Sequence, residues 1–270
     1  MSLIYTLRLA DDALILGHRI SEWTGHGPIL EQDIAITNTA LDHLGRARSL
    51  YQYAAELFNQ LPDAQKTSVF TSVAINALVA AGTPVDEDDL AYLRDSGDFR
   101  NLLLTEQPNG DWACTIARSF YYDAFHYFYF SALQHSSNAA LAAIAAKSLK
   151  ETTYHLRWSS EWVIRLGDGT EESHNRMQQA IDDMWMYTGE MLTMNAAEQE
   201  ALAAGYGVDI AQIAPLWQNR VKEILEEATL TLPLGTWMQQ GGKDGIHSEN
   251  MGYILAEMQF LQRAYPGMEW

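Results

Sequence analysis

Asp12, Asp42, Asp123 and His155 are the residues of this chain whose types and spacing could do chemistry. Three of them stand on stretches whose other members recur at helical spacing and are mostly apolar, so a titratable group falls on a face that should be buried. Asp12 shares a stripe with Leu9, Leu16 and Trp23, and Asp123 lies among Trp112, Ile116, Phe120, Tyr127 and Phe130. His155 follows Leu141, Ala145, Ser148 and Thr152 and precedes Ser159 and Trp162. Carboxylates and an imidazole near the middle of long helices are the ingredients of a bundle-core di-metal site. Such a site takes a carboxylate from each of two helices and a Glu-x-x-His pair from each of two others. Here the set is incomplete: Asp42-x-x-Gly45 lacks the imidazole, and Thr152-x-x-His155 lacks the carboxylate. Glu151 points roughly 100° away from the stripe of Thr152 and His155. Asp123-x-x-His126 and Glu151-x-x-x-His155 are rival pairings, but acidic residues and histidines three or four apart are common on helix surfaces. The reading favoured by the residues is a metal-free pair, Asp123 and His155, buried and hydrogen-bonded, because an unpaired buried carboxylate would cost several kcal/mol.

Helices must position these groups, since only 7 prolines interrupt the chain and no stretch alternates apolar and polar residues as a strand would. The expected class is all-α. The pattern predicts a first helix from about Ser2 to Trp23, a break at Gly25-His26-Gly27-Pro28, and a second helix from about Leu30 to Phe58. A helix is expected from about Ala64 to Ala81, ended by Gly82-Thr83-Pro84, then short ones at Glu87 to Arg94 and Phe99 to Glu106. The third long helix runs from about Asp111 to His135. The fourth runs from Ala139, capped by Asn138, to Leu166, with Gly167 as its stop. Further helices follow near Glu171–Met191, Ala196–Ala204, Ile210–Leu230 and Ser248–Ala264, with Asn195 and Glu198 as a capping pair. Four long helices in two short-turned pairs suggest an antiparallel bundle with the later helices packed around it. Nothing marks a boundary, so residues 1–270 read as one domain.

The pairs also carry a register. Asp12 is 15 residues before Gly27 and Asp42 is 15 after it, which sets them level if Gly27-Pro28 is the turn. Asp123 is 14 residues before Ser137 and Thr152 is 15 after it, so these two should also be level, with His155 about one turn further along.

Composition excludes several classes. The 270 residues carry 17 Lys+Arg against 35 Asp+Glu, a net charge of −18, which argues against nucleic acid and anionic membranes as partners. Cys114 is the single cysteine, read as a small buried residue, so no intrachain disulfide or Cys-based metal site can form and a cytoplasmic setting is expected. Met1 to Gly17 does not read as an export signal. The uncharged run Ala124 to Ala146 is broken by Gln134-His135-Ser136-Ser137-Asn138, a turn rather than part of a membrane span. Gly241-Gly242-Lys243 lacks phosphate-loop spacing, and His247 and Glu249 read as caps of the last helix. His18, His43, His135 and His174 read as surface or satisfied histidines, and His26 as a turn residue. The aromatic run Tyr121-Tyr122, Phe125 and Tyr127-Phe128-Tyr129-Phe130 is wider than one core stripe, so some of it, with the neighbouring part of the second helix around Tyr51 and Tyr53, is expected to face another subunit, the alternative being cover by later helices of the same chain.

Several segments resemble one family. They are Phe99-Arg100-Asn101-Leu102-Leu103-Leu104-Thr105-Glu106-Gln107-Pro108-Asn109-Gly110-Asp111-Trp112, Thr115-Ile116-Ala117-Arg118 and Lys150-Glu151-x-x-Tyr154-His155-Leu156-Arg157. To these the C-terminal part adds Gly241-Gly242-Lys243-x-Gly245-x-His247-x-Glu249, Leu255-Ala256-Glu257-Met258-Gln259-x-Leu261-Gln262-Arg263 and Pro266-Gly267-x-x-Trp270. From about Tyr5 to Trp270 the chain resembles the C subunits of bacterial phenylacetyl-CoA epoxidases. It departs in the apolar stretch from about Pro62 to Pro84, where a shorter connection is expected. The resemblance implies a ferritin-like fold and membership of a multicomponent monooxygenase. In such complexes a homologous A subunit holds the di-iron centre and binds the CoA thioester, and a separate reductase supplies electrons from NADPH. It further implies that the ligand positions of catalytic relatives fall at Asp12, Asp42, Gly45, Asp123, Thr152 and His155, of which Gly45 and Thr152 cannot serve. The expected chain is a pseudo-enzyme with no catalytic residue, metal or cofactor of its own. Its expected partners are the A subunit and the other subunits of the complex, and a homodimer is an option for the isolated chain. Two alternatives stay open: an active di-iron oxygenase recruiting Glu151, His126 or Glu22, and a stand-alone ferritin-like binding protein.

Overall fold

The computed structural model describes residues 2–235, 237–266 and 268, with Ser2 described by its backbone only. Met1, where the leader reading begins, and Gly267 and Trp270 of the terminal motif lie outside the described residues. The described part is all-α, with no strand among its residues. It groups into two compact units: 1–27, 33–106 and 241–270 in the first, 28–32 and 107–240 in the second.

The first unit begins with α1 (Ser2–Ser21), apolar on nearly every side: Leu3, Tyr5, Leu7, Leu9, Ala10, Ala13, Leu14, Ile15 and Leu16 are all buried. A helix hydrophobic all round must be enclosed by its neighbours. α2 (Leu30–Asn59) runs antiparallel to it, followed by α3 (Asp63–Lys66), α4 (Val73–Ala81), α5 (Glu87–Tyr92), a 3₁₀ turn (Ser96–Asp98) and α6 (Leu103–Glu106). The chain returns to this unit through a 3₁₀ turn (Gly242–Asp244), α12 (Glu249–Met258) and α13 (Phe260–Ala264).

The second unit holds α7 (Trp112–Leu133), α8 (Ala139–Gly167), α9 (Glu171–Trp185), α10 (Ala196–Ala203) and α11 (Ile210–Glu227). α7 and α8 are antiparallel, with Trp112 edge-on to Trp158 and Trp162 at the end away from their turn. The caps follow the sequence. Asp111 accepts from Cys114 N, Asn138 accepts from Ala140 N and Leu141 N, and Asn195 and Glu198 form the expected box.

Four expected helices differ, the one expected from Phe99 beginning only at Leu103 because the Asp11 and Asp12 carboxylates take Arg100 N and Leu102 N. The helix over 64–81 is broken because the Asp98 carboxylate captures Thr71 N at 2.7 Å and Ser72 N at 3.0 Å, which frees Ser72 to cap α4. The helix near 171–191 ends at Trp185, and the Met186 carbonyl accepts from Gln239 N at 2.8 Å. The last helix is interrupted at Gln259, whose side chain donates to Arg94 O. Gly167 does not stop α8 but is its last residue. A Cβ there would stand 2.3 Å from Ala228 O, so glycine serves the close approach of the chain after α11.

One buried network organises the first unit. The Asp11 carboxylate accepts from the Tyr51 hydroxyl on α2, from Arg94 Nη1 and Nη2 beyond α5, and from Arg100 N at 2.8 Å. Asp11 and Arg94 are both fully buried. Removing one partner of such a pair strands the other charge. Asp11→Ala is therefore expected to lower stability by about 3–5 kcal/mol. Asp11→Leu combined with Arg94→Met should cost less than the sum of the single changes, as read from urea denaturation of the three variants.

Candidate functional site

Asp12 is enclosed with α1 in the first unit. Its Oδ1 accepts from Leu102 N at 2.7 Å, and Arg8 Nη2 stands 3.7 Å from its Oδ2. Burial pushes Asp12 up to about 7, against the opposing pull of Arg8, the Leu102 amide and Lys243.

The register of α1 and α2 corrects the pairing of Asp12 with Asp42. Tyr51 bonds to Asp11, and a Cβ on Gly17 would lie 3.1 Å from Leu44 and 3.2 Å from His43. The centre of the reversal therefore lies about three residues beyond Gly27, because turns at Trp23, Thr24 and His26 prolong α1 before the chain doubles back. The slip between the helices is twice that, about seven residues or 10 Å along the axis. Asp42 stands beside the last turn of α1 and is half-buried, far from the level of Asp12. The face of α2 turned inward carries His43, Arg46, Ala47 and Leu50. Gly45 is exposed, and a Cβ there would meet nothing within 4 Å.

In the second unit Asp123, Thr152 and His155 are all buried, as their stripes predict. A carboxylate oxygen of Asp123 and a ring nitrogen of His155 lie within 4.8 Å of each other, and Ser159 adds a further contact to both residues. Its hydroxyl lies 2.9 Å from Asp123 Oδ2 and 2.9 Å from the His155 carbonyl oxygen. His126 is also buried, stacked on the Tyr122 ring with Nδ1 3.0 Å from Tyr122 O. Glu151 faces Lys147 at 3.9 Å as a helix-surface pair, and exposed Glu22 is paired with Arg19 at 3.0 Å. Cys114 is half-buried rather than buried, and burial pushes its thiol up.

Most of the aromatic run is buried within the chain. Tyr121, Tyr122, Phe125, Tyr129 and Phe130 are buried, leaving Tyr127 and Phe128 half-buried. The later helices cover the N-terminal end of the run: Trp217 of α11 donates its indole N–H to Tyr121 O, and Tyr121 donates to Ile181 O on α9. Tyr51, placed in the same face from sequence, is buried against Asp11.

Sequence reasoning missed two clusters. One is the Asp11–Arg94–Tyr51 network, for which the available signal was a carboxylate inside a helix apolar on all sides. The other is Glu106, fully buried in α6, with His247 and Ser248 on its carboxylate. His247 is a partner of Glu106, not a helix cap; Ser248 occupies the cap position of α12 and directs its hydroxyl to Glu106.

Fold and buried polar positions define an all-α, ferritin-like helical protein. The chain belongs to the family described as Phenylacetic acid catabolic protein, matched over residues 2–270. It is 43% identical over 266 residues to the C subunit of the 1,2-phenylacetyl-CoA epoxidase of Escherichia coli (strain K12), covering 98% of each chain. The candidate positions do not make up the di-iron donor set of ferritin-like oxygenases: Gly45 is exposed and Thr152 offers a hydroxyl where a carboxylate would be required.

Two outcomes follow from these environments. A folded-state value of about 7 for Asp12, raised above 3.8, means that its contribution is complete below about pH 4 and is lost as the pH rises toward 7. Relative to wild type, Asp12→Asn should gain stability across that window, by at most about 4 kcal/mol. Parallel denaturation series at pH 4.5 and 7.5 measure it, and a constant difference between the two proteins would contradict the assignment. Asp123→Ala should cost about 2–4 kcal/mol and Ser159→Ala about 1–3 kcal/mol, because the first empties a buried site and leaves the Ser159 hydroxyl only its backbone acceptor, and the second removes one donor from a buried carboxylate. Equal, near-zero effects in chemical denaturation would place both residues outside the core.

Proposed function

We propose that this chain is a non-catalytic, structural subunit of a multicomponent phenylacetyl-CoA epoxidase acting in the cytoplasm. In this reading it supports a homologous chain that carries the di-iron centre and binds the CoA thioester, while a separate reductase delivers electrons from NADPH. Membership of the family and the 43% identity to the C subunit of an epoxidase support the pathway and the complex. The observation that carries the non-catalytic role is Thr152, buried at a position where the resemblance places a carboxylate and offering only a hydroxyl; Gly45 is turned to the exterior, and the imidazole that α2 turns inward is His43. No residue of this chain is assigned to a chemical step. Its part is to keep buried helices in a fixed arrangement that a catalytic relative can pack against.

Metal analysis after anaerobic iron loading should find no stoichiometric metal in the isolated chain. Co-expression with the homologous catalytic chain should give a complex whose iron resides in that chain and whose epoxidation of phenylacetyl-CoA requires both. Two irons per copy of this chain, or stoichiometric binding of any divalent cation abolished by Asp123→Asn or His155→Gln, would overturn the reading. Full activity of the catalytic chain without this one would remove the supporting role.

A further inference from the structure

The buried Glu106 carboxylate is surrounded by donors. Oε1 accepts from Asn101 Nδ2 at 3.0 Å and lies 2.5 Å from His247 Nδ1, and Oε2 accepts from Ser248 N at 2.9 Å and Ser248 Oγ at 2.6 Å. The other ring nitrogen of His247, Nε2, lies 3.1 Å from the Phe99 carbonyl oxygen. The two side chains are 4% and 0% exposed. A neutral imidazole has one N–H and one lone pair, yet both nitrogens here face oxygens. Nε2 must carry a proton to bond to Phe99 O, so a second proton lies between Nδ1 and Oε1. The three other donors on the carboxylate favour its anion and place that proton on His247.

Two guanidinium groups also stand at this place, and the Glu106 anion is the charge that offsets them. From α1, Arg19 Nε donates to the Glu106 carbonyl at 3.0 Å. From the chain before α6, Arg100 Nη1 donates to Phe99 O at 2.7 Å, the same carbonyl that Nε2 faces. The flanking charges on the returning segment are Lys243, Asp244 and Glu249, and Asp12 of α1 interacts with Lys243. Gly245, with φ +85°, lets this segment lie against Gly97 O and Arg100 Nη1, where a Cβ would come within 2.5 Å of each.

The pair fastens a helix. Ser248 occupies the N-cap position of α12 but makes no side-chain cap bond to it. The Glu106 anion takes that place, accepting Ser248 N at the positive end of the helix. The far end of α12 is tied by Gln259 Nε2 and Arg263 Nη2, both donating to Arg94 O.

We propose that Glu106 and His247 form a proton-dependent latch that fastens the N-terminal end of α12 within the first unit. With the shared proton present the latch is closed. Its loss at alkaline pH sets an imidazole lone pair against a carboxylate, releases Ser248 and frees α12 to lift its buried Met251, Ile254 and Leu255.

Two measurements on the full chain test this. In long-range ¹H–¹⁵N correlation spectra at pH 6.5, both nitrogens of His247 should resonate as an imidazolium; a neutral pattern with unprotonated Nδ1 would overturn the proposal. Hydrogen exchange, corrected for intrinsic rates, should show protection of α12 falling at least about tenfold between pH 6.5 and pH 9 while α7 and α8 keep theirs. In His247→Gln that protection should already be low and independent of pH. Protection of α12 that is independent of pH in the wild type, or equal in wild type and His247→Gln, would refute the latch. The spectra decide the matter on the wild type if the variant fails to fold.

Discussion

The Asp11–Arg94 ion pair is the interaction on which the first unit depends. Two charges with no exposure are costly to desolvate, and their attraction compensates only when the remaining hydrogen-bonding capacity is filled. It is filled here from four parts of the chain. Asp11 takes donors from Tyr51 and from Arg100 N, and Arg94 gives its Nε to Leu90 O and shares Nη1 with Asp98 O. The Arg94 guanidinium lies 4.1 Å from the centre of the Phe99 ring, which supplies a further favourable face. Its carbonyl then receives Gln259 and Arg263, so a network begun on α1 also positions the last helices. A purely apolar contact could bury the same surface, but it would not fix the order in which α2, α5, the 3₁₀ turn and α12 meet α1.

The long helices were legible because their period survives burial. α1, α2, α7 and α8 end within about two residues of where the pattern stops, a spread normal for helix boundaries. What was not legible depends on residues far apart in sequence. Nothing local to Thr71 and Ser72 says that Asp98 will take their amides, and nothing around Gln259 says that Arg94 O will take its side chain. The slip of Asp42 has a different origin: counting outward from Gly27 assumes that the reversal is centred there, and every residue of error at the turn doubles between the helices.

The aromatics of α7 teach the same lesson for surfaces. Seven aromatic residues in ten positions exceed one stripe, so they need cover from more than one side. Sequence indicates the need but not who meets it. Trp217 and Trp185, stacked at 5.9 Å, bring α11 and α9 over Tyr121, and the cover comes from the same chain.

The candidate ligand positions fit the supporting role for a related physical reason. A metal ligand in an oxygenase must keep lone pairs available, whereas a buried carboxylate without a metal must give them to donors. Asp12 gives one to the Leu102 amide and faces Arg8, and Asp123 is joined to Ser159. If a ligand set lacks a carboxylate, as the proposed reading has it at Thr152, the remaining acids stay in the core only if such donors take the place of the metal. Their new bonds then tie α1 to the start of α6 and α7 to α8. In the proposed reading, groups that once could have bound a cofactor hold the helices in place, and rigidity is the property a catalytic partner needs from its neighbour.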